Sequence, residues 1–233
     1  MNWSKIEILT LRPILDRIWS ELKPIEGKRI LVMCCGSGEM VFWLGEKIER
    51  HGEIVGLDLR RDLLRKAEGG AKRRGIEHFV EFRIAEKYGV PLEDEDFDAV
   101  VSEFIIYPTP EPTEIGQKEM ARVLKDGGKI ILTDVISVKP IPAKIADELK
   151  SVGLDYICEA KHDDFRKWME DAGFENIEVK DLTPLVKGIW EKRQKGDLSS
   201  GRRKGYNLLM ESKEFGLGSA IFYIYARGEK VGR

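Results

Sequence analysis

Short apolar runs alternate along this chain with stretches whose apolar positions recur every three or four residues. That alternation predicts a mostly parallel sheet with helices on both faces. Leu11, Ile14, Leu15, Ile18, Trp19 and Leu22 share one helical stripe, with Thr10 as its N-cap and Pro24 and Gly27 punctuating its end. Residues 30–33 predict a first strand, and a helix over 39–50 follows a glycine-bearing turn. The same reading gives a strand over 53–59, a helix over 62–74 closed by Gly75, and strands over 79–84 and 98–106. A helix over 113–125 stopping at Gly127 and Gly128, then a strand over 129–133, completes the regular part.

The last hundred residues are looser. Phe165, Trp168, Met169 and Ala172 recur at helical spacing before Gly173; residues 175–179 and 219–227 read as strands. Thr183-Pro184 signals a helix start, with Leu185, Val186, Ile189 and Trp190 on its stripe. No repeat or linker divides the chain, so it reads as one domain.

With 39 Lys+Arg against 41 Asp+Glu the net charge is −2, which supplies no general field for nucleic acid or anionic membrane. Charged residues are 34% of the chain, above the usual quarter or so, and a Lys- and Glu-dense surface of this kind points to a heat-adapted protein. Cys34, Cys35 and Cys158 cannot build an even disulfide framework. Lys5, Glu7 and Arg12 interrupt the first apolar residues, so no signal-peptide layout is present, and the expected location is the cytoplasm.

The turn CCGSG leads from the first strand into a helix, the place where open α/β sheets bind ligands. Gly36 and Gly38 allow backbone to approach a ligand, and Asp58 ends the next strand about 20 residues later, where a carboxylate accepts from both hydroxyls of a ribose. The ligand therefore reads as a nucleoside-bearing cofactor. A dinucleotide turn would want glycines at 34, 36 and 39, where the chain has Cys34, Gly36 and Glu39; an acid at that point also sits badly beside a pyrophosphate.

On RILVMCCGSGE, IVGLDLRRDLL, AEKYGVPLEDEDFDAVVSEF and EMARVLKDGGKIILTDV the chain resembles the class I S-adenosylmethionine-dependent methyltransferases, in their small-molecule branch that includes ubiquinone and arsenite methylating enzymes. The resemblance is strong over 28–135 and weaker over FRKWMEDAGFENIEV and GLGSAIFYIYARG. It implies a Rossmann-like, doubly wound α/β sheet of seven strands, mostly parallel with the last antiparallel. It implies S-adenosylmethionine as cofactor, with Cys34, Cys35, Gly36 and Gly38 around the methionine part and Ser102 nearby. Asp58 would hold the ribose, Leu59 would face the adenine, and Ala85 and Glu86 would lie along its edge. Residues 28–135 become the cofactor-binding core, 1–24 a helical cover, and 136–161 and 182–218 substrate-side insertions. Val32, Cys34 and Ile84 depart from the family pattern, which has an acid, a glycine and often an aspartate there.

Methyl transfer from a sulfonium is an in-line displacement that chiefly demands alignment and exclusion of water. Glu103 and Tyr107, after the fourth strand, are the polar groups placed to orient or deprotonate an acceptor; a solvated Glu and a Tyr packed beside Pro108 are the plainer alternatives. With no Cys/His cluster of ligand spacing, no metal site is expected. Trp3, Trp19, Tyr156, Trp190 and Tyr206 suggest a largely apolar small acceptor, or simply packing. Two other readings stay open: an RNA or protein methyltransferase using the basic segment 192–205, and a non-catalytic S-adenosylmethionine-binding scaffold. Against nucleic acid, residues 102–105 read SEFI rather than the Asn-Pro-Pro-aromatic motif that marks methylation of base or amide nitrogens.

Overall fold

The computed structural model describes residues 12–85, 90–103, 116–152, 154, 157–193 and 200–232. In chain order the elements are α1 (Arg12–Leu22), β1 (Lys28–Met33), α2 (Glu39–Ile48), β2 (Gly52–Asp58), α3 (Arg61–Arg74), β3 (Val80–Ile84) and β4 (Phe97–Glu103). Then come α4 (Gln117–Val123), β5 (Leu124–Ser137), α5 (Ala143–Lys150), β6 (Cys158–Glu159), α6 (His162–Asp171), β7 (Phe174–Asp181), α7 (Thr183–Arg193), α8 (Ser200–Glu211) and β8 (Ile221–Lys230).

The sheet runs β3-β2-β1-β4-β5-β8-β7, with β8 antiparallel to both neighbours. Those seven strands match the expected sheet. An eighth, the two-residue β6, pairs with Ile136 and Ser137 where β4 has already ended. Strand order reverses between β1 and β4, so their carboxyl ends part and open a crevice there.

Alternate strand residues feed two cores. Ile30, Val32, Val101, Ile131 and Tyr223 pack under α1, α2, α3, α7 and α8. Leu31, Met33, Val100, Leu132 and Ile224 pack under α4 and α6. This period-two division in strands buried on both faces is why they read as continuous apolar runs.

Several boundaries moved. The helix expected over 113–125 is α4, and it stops at Val123 because Leu124 already pairs with Phe97. Gly127, at φ 74°, carries the bulge that brings Lys129 opposite Ala99. Helices α5 and α8 were not legible as elements. They approach closely because Gly205 has no side chain: a Cβ there would lie 2.4 Å from Ser151 Oγ and 2.5 Å from the Glu148 carbonyl. Helix α1 lays Ile14, Ile18 and Leu22 into the first core, and Arg17 stacks 4.4 Å above Tyr225 and pairs with Glu178 at 3.0 Å. Thr10 lies outside the described residues.

Candidate functional site

Three backbone facts shape the turn between β1 and α2. Cys34, Gly36 and Gly38 are all left-handed, at φ 49°, 57° and 98°. Cys34 is thus a departure in residue from the glycine pattern and not in backbone conformation, at a cost of roughly 1–2 kcal/mol for a non-glycine residue. The Cys35 N–H donates to the Leu57 carbonyl at 3.0 Å and the Gly38 N–H to the Cys35 carbonyl at 2.9 Å, fastening the turn to β2 and to itself.

The two glycines serve different neighbours. At Gly36, which is buried, a Cβ would meet no atom of the described residues within 4 Å, so among them this point of the turn faces open space. At Gly38 a Cβ would lie 2.7 Å from the Phe42 ring and 3.0 Å from the Ala67 methyl. The missing side chain at Gly38 therefore makes room for packing of α2 on α3, a role that periodicity could not separate from ligand approach.

Asp58 is the hub. It is 8% exposed; Oδ2 accepts from the Gly36 N–H and Oδ1 from the Arg60 N–H, both at 2.8 Å. A carboxylate offers about four lone-pair sites, so two remain for further donors. The Ala85 N–H donates to the Asp58 carbonyl at 2.8 Å, tying the end of β3 to the same corner. Leu59 stands 54% exposed beside it, an apolar surface at the mouth of the crevice. Ala85 is buried and Ile84 pairs in register with Asp58. Ser102 is buried in register with Met33 and Leu132, and its hydroxyl has no hydrogen-bond partner among the described residues. Glu103 closes β4 opposite Thr133 at the carboxyl edge. Glu86, Tyr107, Trp3 and Tyr156 lie outside the described residues.

The thiols sit in a field that keeps them protonated. Burial first, then the Asp58 and Asp134 carboxylates, pushes Cys34 up to about 12. Burial likewise raises Cys35 strongly and lifts Cys158 to about 11. Among the described residues no group of three or more His, Cys, Asp or Glu could hold a metal. Alkylation of the native protein by iodoacetamide at pH 8 should accordingly be much slower than that of a free thiol, whose pKa is about 8.5. Rapid loss of all three thiols, read by mass spectrometry, would contradict this field.

Residues that the sequence reading passed over also gather here. Asp134 on β5 is buried, with Oδ1 accepting the Val135 N–H at 2.6 Å, and its charge reaches both Cys34 and Cys158. Glu39, read only as an obstacle to pyrophosphate, is buried at the first position of α2. A lone acid inside an otherwise apolar stretch, EMVFWLG, is the signal that could have marked it.

The insertions converge on the same edge. Helix α5 follows the carboxyl end of β5, α7 follows that of β7, and α8 precedes antiparallel β8, whose Ile221 pairs with Ser137. Trp190 of α7 stacks on Tyr206 of α8 with centroids 5.5 Å apart; both are buried, so these two aromatics are packing. Trp19 meets Trp43 edge-on at 6.3 Å. A cavity of about 340 Å³ lies beside α5, lined by Pro140, Ile141, Ala146, Leu154 and Ile157 with Ser137, Lys139 and Glu159. On the basic segment Arg203 and Lys204 are exposed on α8; Lys195 lies outside the described residues.

Residues 25–181 match the family model of the methyltransferase domain, from just before β1 to the end of β7. The chain belongs to this family. Among curated relatives of this methyltransferase-domain chain, an arsenite methyltransferase of Halobacterium salinarum is 26% identical over 153 residues, 66% of this chain and 39% of that protein. A demethylmenaquinone methyltransferase of Alkalihalophilus pseudofirmus is 27% identical over 180 residues, 68% of this chain and 75% of that protein. The chain thus spans well under two thirds of the first relative's length. Geranyl diphosphate C-methyltransferase from Streptomyces coelicolor, solved with Mg2+, geranyl diphosphate and S-adenosyl-L-homocysteine, shares the fold at TM-score 0.74 and 17% identity, over 95% of this chain and 78% of that one. The family match leaves α1, α7, α8 and β8 outside it. Among the described residues no helix of this methyltransferase-domain protein is long and apolar enough to cross a membrane.

Proposed function

We propose that this chain is an S-adenosylmethionine-dependent methyltransferase acting on a small, largely apolar acceptor. The observation that carries the reading is Asp58, a buried carboxylate with spare lone pairs, bonded to the turn whose Gly36 faces open space at the crevice. Family membership supports it, and the geometry fits a nucleoside with no phosphate: acidic side chains crowd the turn, where a pyrophosphate would be repelled.

When bound, S-adenosylmethionine supplies an activated methyl group together with its own leaving group. The chain's residues have to bind, orient and dry the site. Asp58 accepts from the two ribose hydroxyls, Gly36 admits the ligand against the backbone, and Leu59 covers one adenine face with Ala85 and Glu86 along its edge. Cys34, Cys35 and Gly38 set the turn's shape, and Ser102 offers a hydroxyl below it. Glu103 and Tyr107 orient the acceptor and take its proton. The insertions 136–161 and 182–218 form the acceptor side, with the cavity beside α5 as the place for an apolar group. The cover assigned to residues 1–24 is part of the same proposal.

The test is calorimetric titration. S-adenosylmethionine and S-adenosylhomocysteine should bind with micromolar affinity and NAD should not. Methyl transfer is then sought by offering tritiated S-adenosylmethionine with quinone-type and other apolar acceptors. Binding of NAD alone would overturn the reading. Tight, salt-sensitive binding of RNA, lost when Arg202, Arg203 and Lys204 are neutralised, would put a macromolecular acceptor in place of the small one.

A further inference from the structure

We propose that α7 and α8 dock on the surface of an anionic lipid bilayer, from which the apolar acceptor is drawn; the second half rests on the acceptor reading above. The net charge of −2 conceals an uneven distribution. Between residues 182 and 218, eight Lys and Arg stand against four Asp and Glu, while the rest of the chain carries 31 against 37. The segment is therefore +4 and the remainder −6. It also lies wholly beyond residues 25–181, the stretch that matches the family domain, so the family domain does not account for it.

Apolar side chains stand among these charges. Three large apolar residues are exposed among the described ones: Leu59 at the crevice, Val231 near the chain's end, and Leu185 of α7 at 39%. Leu185 shares a side of α7 with half-buried Ile189, four residues on, next to buried Val186 and Trp190. On α8, exposed Lys204 lies above half-buried Leu208, and exposed Arg203 shares a side with half-buried Met210. Aliphatic groups interleaved with cations on long stems suit a bilayer interface: the former enter the acyl boundary while the latter reach the headgroups. The same surface repels the −6 remainder, which orients the molecule with α7 and α8 downward. Helix α8 packs at Gly205 directly on residues of α5, the helix beside the proposed acceptor cavity. An apolar acceptor partitions into the bilayer, so this docking brings the cavity to its source. RNA is the other polyanion to weigh, and single strands are held by aromatic faces as well as by charge. The three aromatics of the segment present none. Trp190 and Tyr206 are buried on each other, and half-buried Phe215 has Lys139 Nζ 4.6 Å above its ring.

The experiment is vesicle co-sedimentation of the full chain without cofactor or acceptor, so its outcome does not depend on the methyltransferase reading. Vesicles of mixed phosphatidylglycerol and phosphatidylcholine are compared with phosphatidylcholine alone. Binding should be confined to the anionic vesicles and weaken as salt rises. Replacing both Arg203 and Lys204 with alanine should weaken it about twentyfold, at roughly fivefold for each cation near an anionic surface. Leu185→Gln should weaken it about threefold or more, and that loss should persist at high salt because the contact is apolar. All three positions are exposed, so the variants should melt with wild type, and exposed Lys213→Ala repeats the charge test outside either helix. No binding to anionic vesicles, equal binding to neutral ones, or indifference to the charge variants would overturn the docking and leave the methyltransferase reading standing. Indifference to Leu185→Gln would reduce the contact to adsorbed charge and overturn it as well. Tight RNA binding lost in the double variant would assign the cations to nucleic acid instead. Vesicle binding by a protein that takes no S-adenosylmethionine would uphold the docking and overturn the delivery of an acceptor.

Discussion

Replacing Asp58 with alanine should raise the Kd for S-adenosylmethionine at least about a hundredfold and lower the thermal midpoint as well. Two effects combine. The ligand loses the acceptor for two hydroxyls, each a charge-assisted bond in a site only 8% exposed. The turn loses its own anchor, because the Gly36 and Arg60 N–H groups both donate to this carboxylate at 2.8 Å. Leaving those donors unsatisfied costs on the order of 1–3 kcal/mol of stability. Asparagine should not rescue the site. Its amide has one oxygen and one NH2, so one of the two backbone N–H groups would face a donor instead of an acceptor. Calorimetry and thermal melts on the same samples separate the two effects. Unchanged affinity in the alanine variant would remove Asp58 from the ligand site and leave it a structural role only.

The glycines of the turn should give opposite phenotypes. Gly38→Val is expected to cost about 2–5 kcal/mol of stability, through overpacking added to backbone strain. Its first methyl-bearing carbon would lie 2.7 Å from Phe42, which cannot yield. The Phe42 ring also fills the space at Gly70, where a Cβ would stand 2.4 Å away, and Arg74 covers it at 4.2 Å. Gly36→Ala has no such clash. It bears only the left-handed penalty at φ 57°, roughly 1–2 kcal/mol, and should stay folded. Its methyl enters the open space instead, so cofactor affinity should fall by about tenfold or more. Denaturant titration with calorimetry checks both. A folded, fully stable Gly38→Val protein that fails to bind would restore the simpler view, drawn from spacing, that both glycines exist for the ligand.

Much of this protein was legible in its sequence because the relevant signals are local. The strands are buried on both faces and so read as apolar runs, and α3 was placed within a residue because Gly75 ends it at φ 66°. The turn and Asp58 at the end of β2 followed from spacing and order, and the antiparallel β8 from the family resemblance. What only the tertiary structure decided depends on which surfaces meet. Helix α5 is only 8 residues long and α8 carries glycines at 201 and 205, which weaken their sequence signals, and their pairing turns on Gly205, whose lack of a side chain matters only once Ser151 is opposite it. Trp190 is an equally good substrate wall or core residue until Tyr206 is found stacked on it. Gly36 and Gly38 look alike along the chain and differ only in what a Cβ would strike. Glu39 was visible as a charge, but its burial, its bond to Ser37 and its unpaired oxygen belong to the folded site. Periodicity records which residues avoid water; contacts between distant segments, which set the worth of a missing Cβ or a buried charge, exist only after the chain has folded.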